Sequence, residues 1–345
     1  MKRYLQMLTN KQSLTEDDMK MVATELFRED ISESEIAGLI IGLKAKGESV
    51  EEITGLVEVL RAKALPFTRT FPGVMDNCGT GGDGSQSFNI STTSAFVIAG
   101  AGIKVAKHGN RSISSKTGSA DVLEKLGVRL DLHPEQAEEL LNEIGIAFLF
   151  APHVHPNLKR IMKVRQDLKI PTIFNLIGPL TNPVQLDYQL LGLYERKYVS
   201  LFAEVLQRLG RKRAVVVNGA GFMDEASLAG ENIIAVLENG QIQSFVLSPE
   251  EVGFQTVPNH LIKGGDSSEN AEILLRVLQG EKSVFRDTVL LNAGLGIYAG
   301  GRAATVKEGI EVAKESIDSG RAYSILQALI EKGGKLHEFH IAANS

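Results

Sequence analysis

Residues 76–121 read DNCGTGGDGSQSFNISTTSAFVIAGAGIKVAKHGNRSISSKTGSAD, and the alternation inside this stretch decides the fold. A glycine-rich turn, Gly79-Thr80-Gly81-Gly82-Asp83-Gly84, runs into a hydroxyl-rich helix start, Asn89-Ile90-Ser91-Thr92-Thr93-Ser94. A strand candidate follows at 103–106, then a second, basic loop, KHGNRSISSKTG, over 107–118. Turn, helix, strand and loop in this order form the repeating unit of an α/β sheet. In such sheets ligands gather beyond the carboxyl ends of the strands.

Each element has two readings. Glycines let backbone N–H groups approach an anion where a Cβ would clash, and they also make turns with no further purpose. One residue of 89–94 is expected as an N-cap, which explains one hydroxyl of the four. A helix start with spare hydroxyls suits phosphate. The dipole contributes only roughly 0.3–1 kcal/mol, so hydrogen bonds must supply most of the affinity. The basic loop is either solvated or a phosphate grip, and His108 is either a satisfied loop histidine or part of that grip. Two such elements together suit a ligand with phosphate at two places. The turn also satisfies G-x-G-x-x-G, but a dinucleotide fingerprint needs an acid roughly 20 residues on. Lys104-Val105-Ala106-Lys107 holds none.

The chain has 345 residues, which implies a large domain and a smaller one. Hydrophobic residues make up 43% and charged residues 23%, a globular balance. The net charge of -5 argues against a general nucleic-acid binder. Cys78 is the single cysteine, so no intrachain disulfide forms and a cytoplasmic setting fits. Charges interrupt the first residues, so no secretory leader is expected, and no uncharged run is long enough to cross a membrane.

Residues 1–65 read as helical. Ser13 to Glu16, Ser32 to Glu35 and Ser49 to Glu52 each predict a capping box, and apolar residues recur at helical spacing. These short helices must pack on one another, and either simply cover the main domain or also meet a partner subunit. Residues 66–75 read as a linker, with Pro66, Pro72 and Gly73. Beyond it, strands are expected at 103–106, 145–150, 213–217 and 233–247, the last folded at Asn239-Gly240. Helices are expected at 91–101, 119–126, 134–143, 156–168, 197–209, 249–252, 269–278, 284–299 and 305–317. The fold class is therefore α/β: a small all-helical N-terminal domain, 1–70, and a large domain, 74–345, with a mostly parallel sheet. The Pro- and Gly-punctuated segment 156–190 is expected to return in part to the helical domain.

Two further features carry chemistry. Asp224-Glu225 follows the strand candidate and the turn GAGFM. Adjacent carboxylates there suit Mg²⁺, which takes one or two carboxylates plus water and phosphate oxygens. The alternative reading is an exposed acidic loop or the acid pair of a helix first turn. Arg165, within KRIMKVRQDL, is either solvated or a fork for a carboxylate.

The strings GTGGDG…FNIST…KHGNRSISSKTGSADVLEKLG, HPNLKRIMKVRQDLKIPTIFNLIGPLTNP and MDEAS, in this order, resemble the anthranilate phosphoribosyltransferases over essentially the whole chain. Pyrimidine nucleoside phosphorylases resemble only part of it, chiefly the helical domain plan and the basic loop. The resemblance implies a homodimer through the helical domains, Mg²⁺ as cofactor, and no nucleic-acid or membrane partner. It implies transfer of phosphoribose from 5-phosphoribosyl-1-pyrophosphate to the amine of anthranilate, in tryptophan biosynthesis. By the same resemblance, Gly79, Gly82, Asp83, Ser87, Asn89, Ile90, Ser91 and Thr92 would contact the donor. So would Lys107, His108, Gly109, Asn110, Arg111, Ser112, Ile113, Ser114, Ser115 and Ser119. Gly79, Asn110 and Arg165 would hold anthranilate, and Ser91, Asp224 and Glu225 would hold metal. No residue is expected as a catalytic acid or base. Ser87 stands where the family often has threonine, and Cys78 reads as a small buried filler rather than a nucleophile.

Overall fold

The structure is a computed structural model that describes residues 1–111 and 117–343, with side chains through residue 334. Four helices open the chain: α1 Lys2–Thr9, α2 Glu16–Glu25, α3 Glu33–Lys46 and α4 Val50–Ala62. Two of the three expected capping boxes form. Ser32 Oγ accepts from Glu35 N at 3.2 Å while Ser32 N donates to Glu35 Oε2 at 2.9 Å, and Ser49 pairs with Glu52 at the same two distances. The third does not form. Thr15 caps α2 by accepting from Asp18 N at 3.1 Å, because T-x-x-D lies two residues further on. Ser13 Oγ instead accepts from Lys46 Nζ.

Among the described residues, seven strands make one sheet in the order β3-β2-β1-β4-β5-β6-β7. They are β1 Met75–Asp76, β2 Val105–Gly109, β3 Ile146–Phe150, β4 Tyr188–Gly192, β5 Arg213–Asn218, β6 Asn232–Glu238 and β7 Gln241–Leu247. The strands β3 through β5 of that order run parallel, and β6 and β7 are antiparallel. Asn239 and Gly240, both at positive φ, close the β6–β7 hairpin as expected. The reading missed β1, which is two residues long, and β4, which is hidden in a punctuated segment. It also placed β2 too early: Lys107, His108 and Gly109 are strand residues opposite Phe148, Leu149 and Phe150.

Helices surround the sheet: α5 Ile90–Gly100, α6 Ser119–Lys125, α7 Pro134–Glu143, α8 Ala151–Val154, α9 Lys159–Leu168 and α10 Val199–Arg208. The last four are α11 Ser267–Leu278, α12 Val284–Ala299, α13 Val306–Asp318 and α14 Arg321–Ala343. The expected helix at 156–168 is split, since Pro156 starts a short 3-10 turn before α9, and 249–252 is a 3-10 turn. The terminal helix α14 was not foreseen.

Strand alternation sorts the apolar residues into two cores. Val215, Val217, Ile234 and Val236 face the core built from α5, α7 and α11–α13. Ala214, Val216, Ala235 and Leu237 face the other core, with α1–α4 and α10. Ile161, Val164, Ile173, Phe174 and Leu180 belong to that second core, so the segment around α9 packs with the N-terminal helices. No helix among the described residues is long and apolar enough to cross a membrane.

Candidate active site

Strand order places the site. From β1 the chain builds outward to β2 and β3 on one side and to β4 and β5 on the other, so a crevice opens at the carboxyl end of β1. The glycine turn leaves β1 there. Gly79 bridges to Gly192 at the end of β4, and Thr80 N donates to Gly192 O at 3.0 Å. Gly81, Gly82 and Gly84 all take left-handed backbone, at φ 69°, 79° and 72°. Gly81 N donates to Asp224 Oδ2 at 2.6 Å. A Cβ on Gly79 would lie 2.2 Å from Asp224 Oδ2, and one on Gly192 would overlap Asp224 O. Only glycine permits this approach of turn and acid.

Three carboxylates gather at that point. Asp83 Oδ1 accepts from Ser85 N and Oγ at 3.0 Å each, while its Oδ2 is buried with no donor. Burial, then the Asp83 charge, pushes the Asp224 carboxyl above its ordinary range. Burial, then the Asp224 charge, pushes Glu225 up, against the pull of Lys107. Glu225 Oε1 accepts from Ser91 N at 3.1 Å. Asn89 is the N-cap residue of α5 but makes no side-chain cap, so a carboxylate from another segment takes that place.

Ser87 N donates to Ser85 Oγ at 3.2 Å. Asn89 Oδ1 accepts from Asn270 Nδ2 at 2.8 Å. Ile90 is buried as the first residue of α5, and Thr92 Oγ1 is buried without a partner. Lys107 is 2% exposed, and its Nζ rests on Asn77 O and Oδ1, both at a long 3.4 Å. Ile90 packs into the core behind α5, while Lys107 and Asn77 lie at the root of the turn.

Other expected residues turn elsewhere. Alternation along β2 points His108 away from Lys107, and its Nδ1 lies 3.2 Å from Gly178 O beside the His155 ring. Burial lowers the His108 pKa to about 3. Arg111 pairs with Asp121 and Glu124 on α6 and lies over Phe150. Asn110 Oδ1 accepts from Arg111 N, and Asn110 O accepts from Ser119 Oγ at 3.1 Å. Gly109 closes β2 opposite Phe150. Ser112, Ile113, Ser114 and Ser115 lie outside the described residues. Arg165 is half-buried on α9, 5.5 Å from the Phe174 ring centroid, with Nη1 toward Met162 Sδ at 3.1 Å. Burial lowers its pKa. The sequence reading overlooked Asn77 and Asn270, which support Lys107 and Asn89; neither lies in a recognisable motif.

Among the described residues no three His, Cys, Asp or Glu side chains converge as a finished metal cage. A hard cation that completes its shell with phosphate oxygens and water needs no such cage. Two buried carboxylates held above their ordinary pKa, beside an Asp83 oxygen with no donor, suit a divalent cation.

The chain matches two family models: the glycosyl transferase family helical bundle domain over residues 2–64 and the a/b domain over residues 72–323. It is 60% identical over 330 residues to the anthranilate phosphoribosyltransferase of Bacillus mycoides (strain KBAB4), covering 96% of this chain and 97% of the relative. The crystal structure of anthranilate phosphoribosyltransferase from Thermus thermophilus matches with a TM-score of 0.91 at 40% identity, over 96% of this chain and 99% of that one. The Saccharomyces cerevisiae enzyme in complex with PRPP and Mg matches with a TM-score of 0.88 at 25% identity, over 96% and 97%. With its helical bundle, its mostly parallel sheet and these relatives, the chain belongs to the anthranilate phosphoribosyltransferases.

Proposed function

We propose that the crevice transfers the phosphoribosyl group of 5-phosphoribosyl-1-pyrophosphate to anthranilate in tryptophan biosynthesis, releasing pyrophosphate. The observation that carries this is the buried acid pair Asp224 and Glu225, packed between the glycine turn and the start of α5. Asp224, Glu225 and Ser91 would hold Mg²⁺. When bound, that ion supplies positive charge against the pyrophosphate.

The C1–O bond to pyrophosphate breaks, the C1–N bond forms, and the amine proton passes to solvent. Charge builds on the ribose ring and on the leaving group, so the protein's work is positioning and electrostatics. The glycine turn, the start of α5 and Lys107 hold the phosphates. Gly79, Asn110 and Arg165 hold anthranilate, with the Arg165 fork on its carboxylate. A neutral aromatic amine needs no base to become a nucleophile. The His108 ring faces Gly178 and its main-chain N–H donates to Asp76, so neither grips phosphate directly.

We also propose a helical domain over 1–70 joined by part of 156–190, a catalytic domain over 74–345, a homodimer through the helical domains and a cytoplasmic setting. The exposed Met21 of α2 and Ile41 of α3 support a partner for the helical domain. The assay follows anthranilate fluorescence. Its loss is expected only with donor and Mg²⁺ both present; steady fluorescence with all components ends the reading.

A further inference from the structure

Asp76 ends β1, the strand from which the sheet builds in both directions. Its carboxylate is fully buried and is satisfied by neutral donors from four residues. Oδ1 accepts from Asn77 N at 2.8 Å and from His108 N at 3.2 Å. Oδ2 accepts from Asn182 Nδ2 at 2.9 Å and from Cys78 Sγ at 3.4 Å. Asn77 and Cys78 are the root of the glycine turn, and His108 follows Lys107 on β2. Asn182 also donates to Ala106 O at 2.7 Å, so it ties Asp76 to the same strand.

The ladder between β1 and β2 has one register pair, Met75 with Val105. Past it a carboxylate takes the place of the main-chain acceptor that His108 N would meet in a continued ladder. The two chains therefore part at the floor of the crevice while remaining tied together. Lys107 Nζ crosses the gap and rests on Asn77 by long contacts. A buried carboxylate beneath a site for polyanions is costly, and an apolar residue would fill the space more cheaply. The nearby Lys107 charge and the carboxylate's four bonds are the compensating gain.

We propose that Asp76 is a positioning residue for the phosphoribosyl donor: its carboxylate holds the roots of the glycine turn and of the Lys107 strand at one spacing. Anthranilate depends on that spacing less, because Arg165, which takes its carboxylate, lies on α9, while Gly79 and Asn110 share the two roots. The inference rests on the donor site proposed above.

The test is Asp76→Asn, which keeps shape and replaces one acceptor by a donor that faces other donors. With folding checked by circular dichroism, the KM for the donor is expected to rise about tenfold or more, the scale on which outer supports of a binding group act. The KM for anthranilate at saturating donor is expected to rise by a clearly smaller factor. An equal rise in both, or none, overturns the assignment. Should Asp76→Asn fail to fold, Asn182→Ala keeps the carboxylate and removes one of its donors. It is expected to raise the donor KM about threefold and the anthranilate KM by less, and no change overturns the proposal. Lys107→Ala, run alongside, separates the two readings. If it leaves the donor KM unchanged, the donor site and the Asp76 role fall together; if it raises the donor KM while Asp76→Asn does not, only the Asp76 role falls.

Discussion

The Cβ that Gly79 lacks would lie 2.2 Å from Oδ2 of Asp224, and 2.6 Å from its main-chain oxygen. Turn and acid pair are thus packed as one unit, with Gly81 N bonded to the same carboxylate. Gly79→Ala must push Asp224 aside, and a shift of about 1 Å in a positioning group costs on the order of a hundredfold in rate. We expect kcat/KM to fall by about that factor, with the fold retained. Steady-state kinetics across an Mg²⁺ titration check this; wild-type rates in the variant would show that the contact has no functional weight.

Asp224→Asn combined with Glu225→Gln should move stability and activity in opposite directions. Burial opposes ionisation of both groups, so the ligand-free protein is strained at neutral pH. Neutral amides relieve that strain, and thermal unfolding without ligand should occur at a higher temperature. Turnover should drop by about a hundredfold or more, because the acid pair then no longer holds a cation against the pyrophosphate. A variant that loses activity and stability together would point to simple damage instead.

Arg165 lies against Phe174 and Met162, two neutral side chains. A half-buried guanidinium so placed is primed for an incoming carboxylate. Such a charge-assisted contact contributes roughly 1.5–3 kcal/mol. Arg165→Ala should therefore raise the anthranilate KM by about ten- to a hundredfold and leave the donor KM within about twofold. Equal changes in both constants would remove Arg165 from the acceptor site.

Sequence pattern exposed those parts of the molecule whose physics is local. Ser32 and Ser49 announce helices because a capping box closes within four residues. Asn239-Gly240 announces a hairpin because two successive residues need positive φ. The glycine turn and the acid pair also stand out by composition. Non-local relationships stayed hidden. β1 is recognisable only from its neighbours, because two residues carry no period. Gly333 and Gly334 break the pattern of α14, which packing against α5 and α7 sustains nonetheless. His108 read as part of a loop, yet it lies in a strand, where alternation turns its ring from the phosphate side. The α5 N-cap is Asn89, within the expected 89–94, but the bond to Ser91 N comes from Glu225, 134 residues away.

His108 and His155 form a buried pair with ring centroids 5.4 Å apart. Burial lowers His108 to about 3, with His155 lowering it further, and burial lowers His155 to about 4. Unfolded histidine titrates near 6.5, so the unfolded chain binds protons that the folded chain refuses. Their contribution to stability is complete above about pH 6.5 and is lost as pH falls toward the folded values. Each group should weaken the fold by about 1.4 kcal/mol per pH unit across that window. His155→Gln removes one of the two contributions and lets His108 titrate closer to its ordinary range. Urea unfolding from about pH 7 to about pH 4.5 should therefore show a shallower acid slope in the variant. An unchanged slope would mean that the pair is protonated or wetted in the folded protein. The parent's acid sensitivity would then have to arise from its carboxylates.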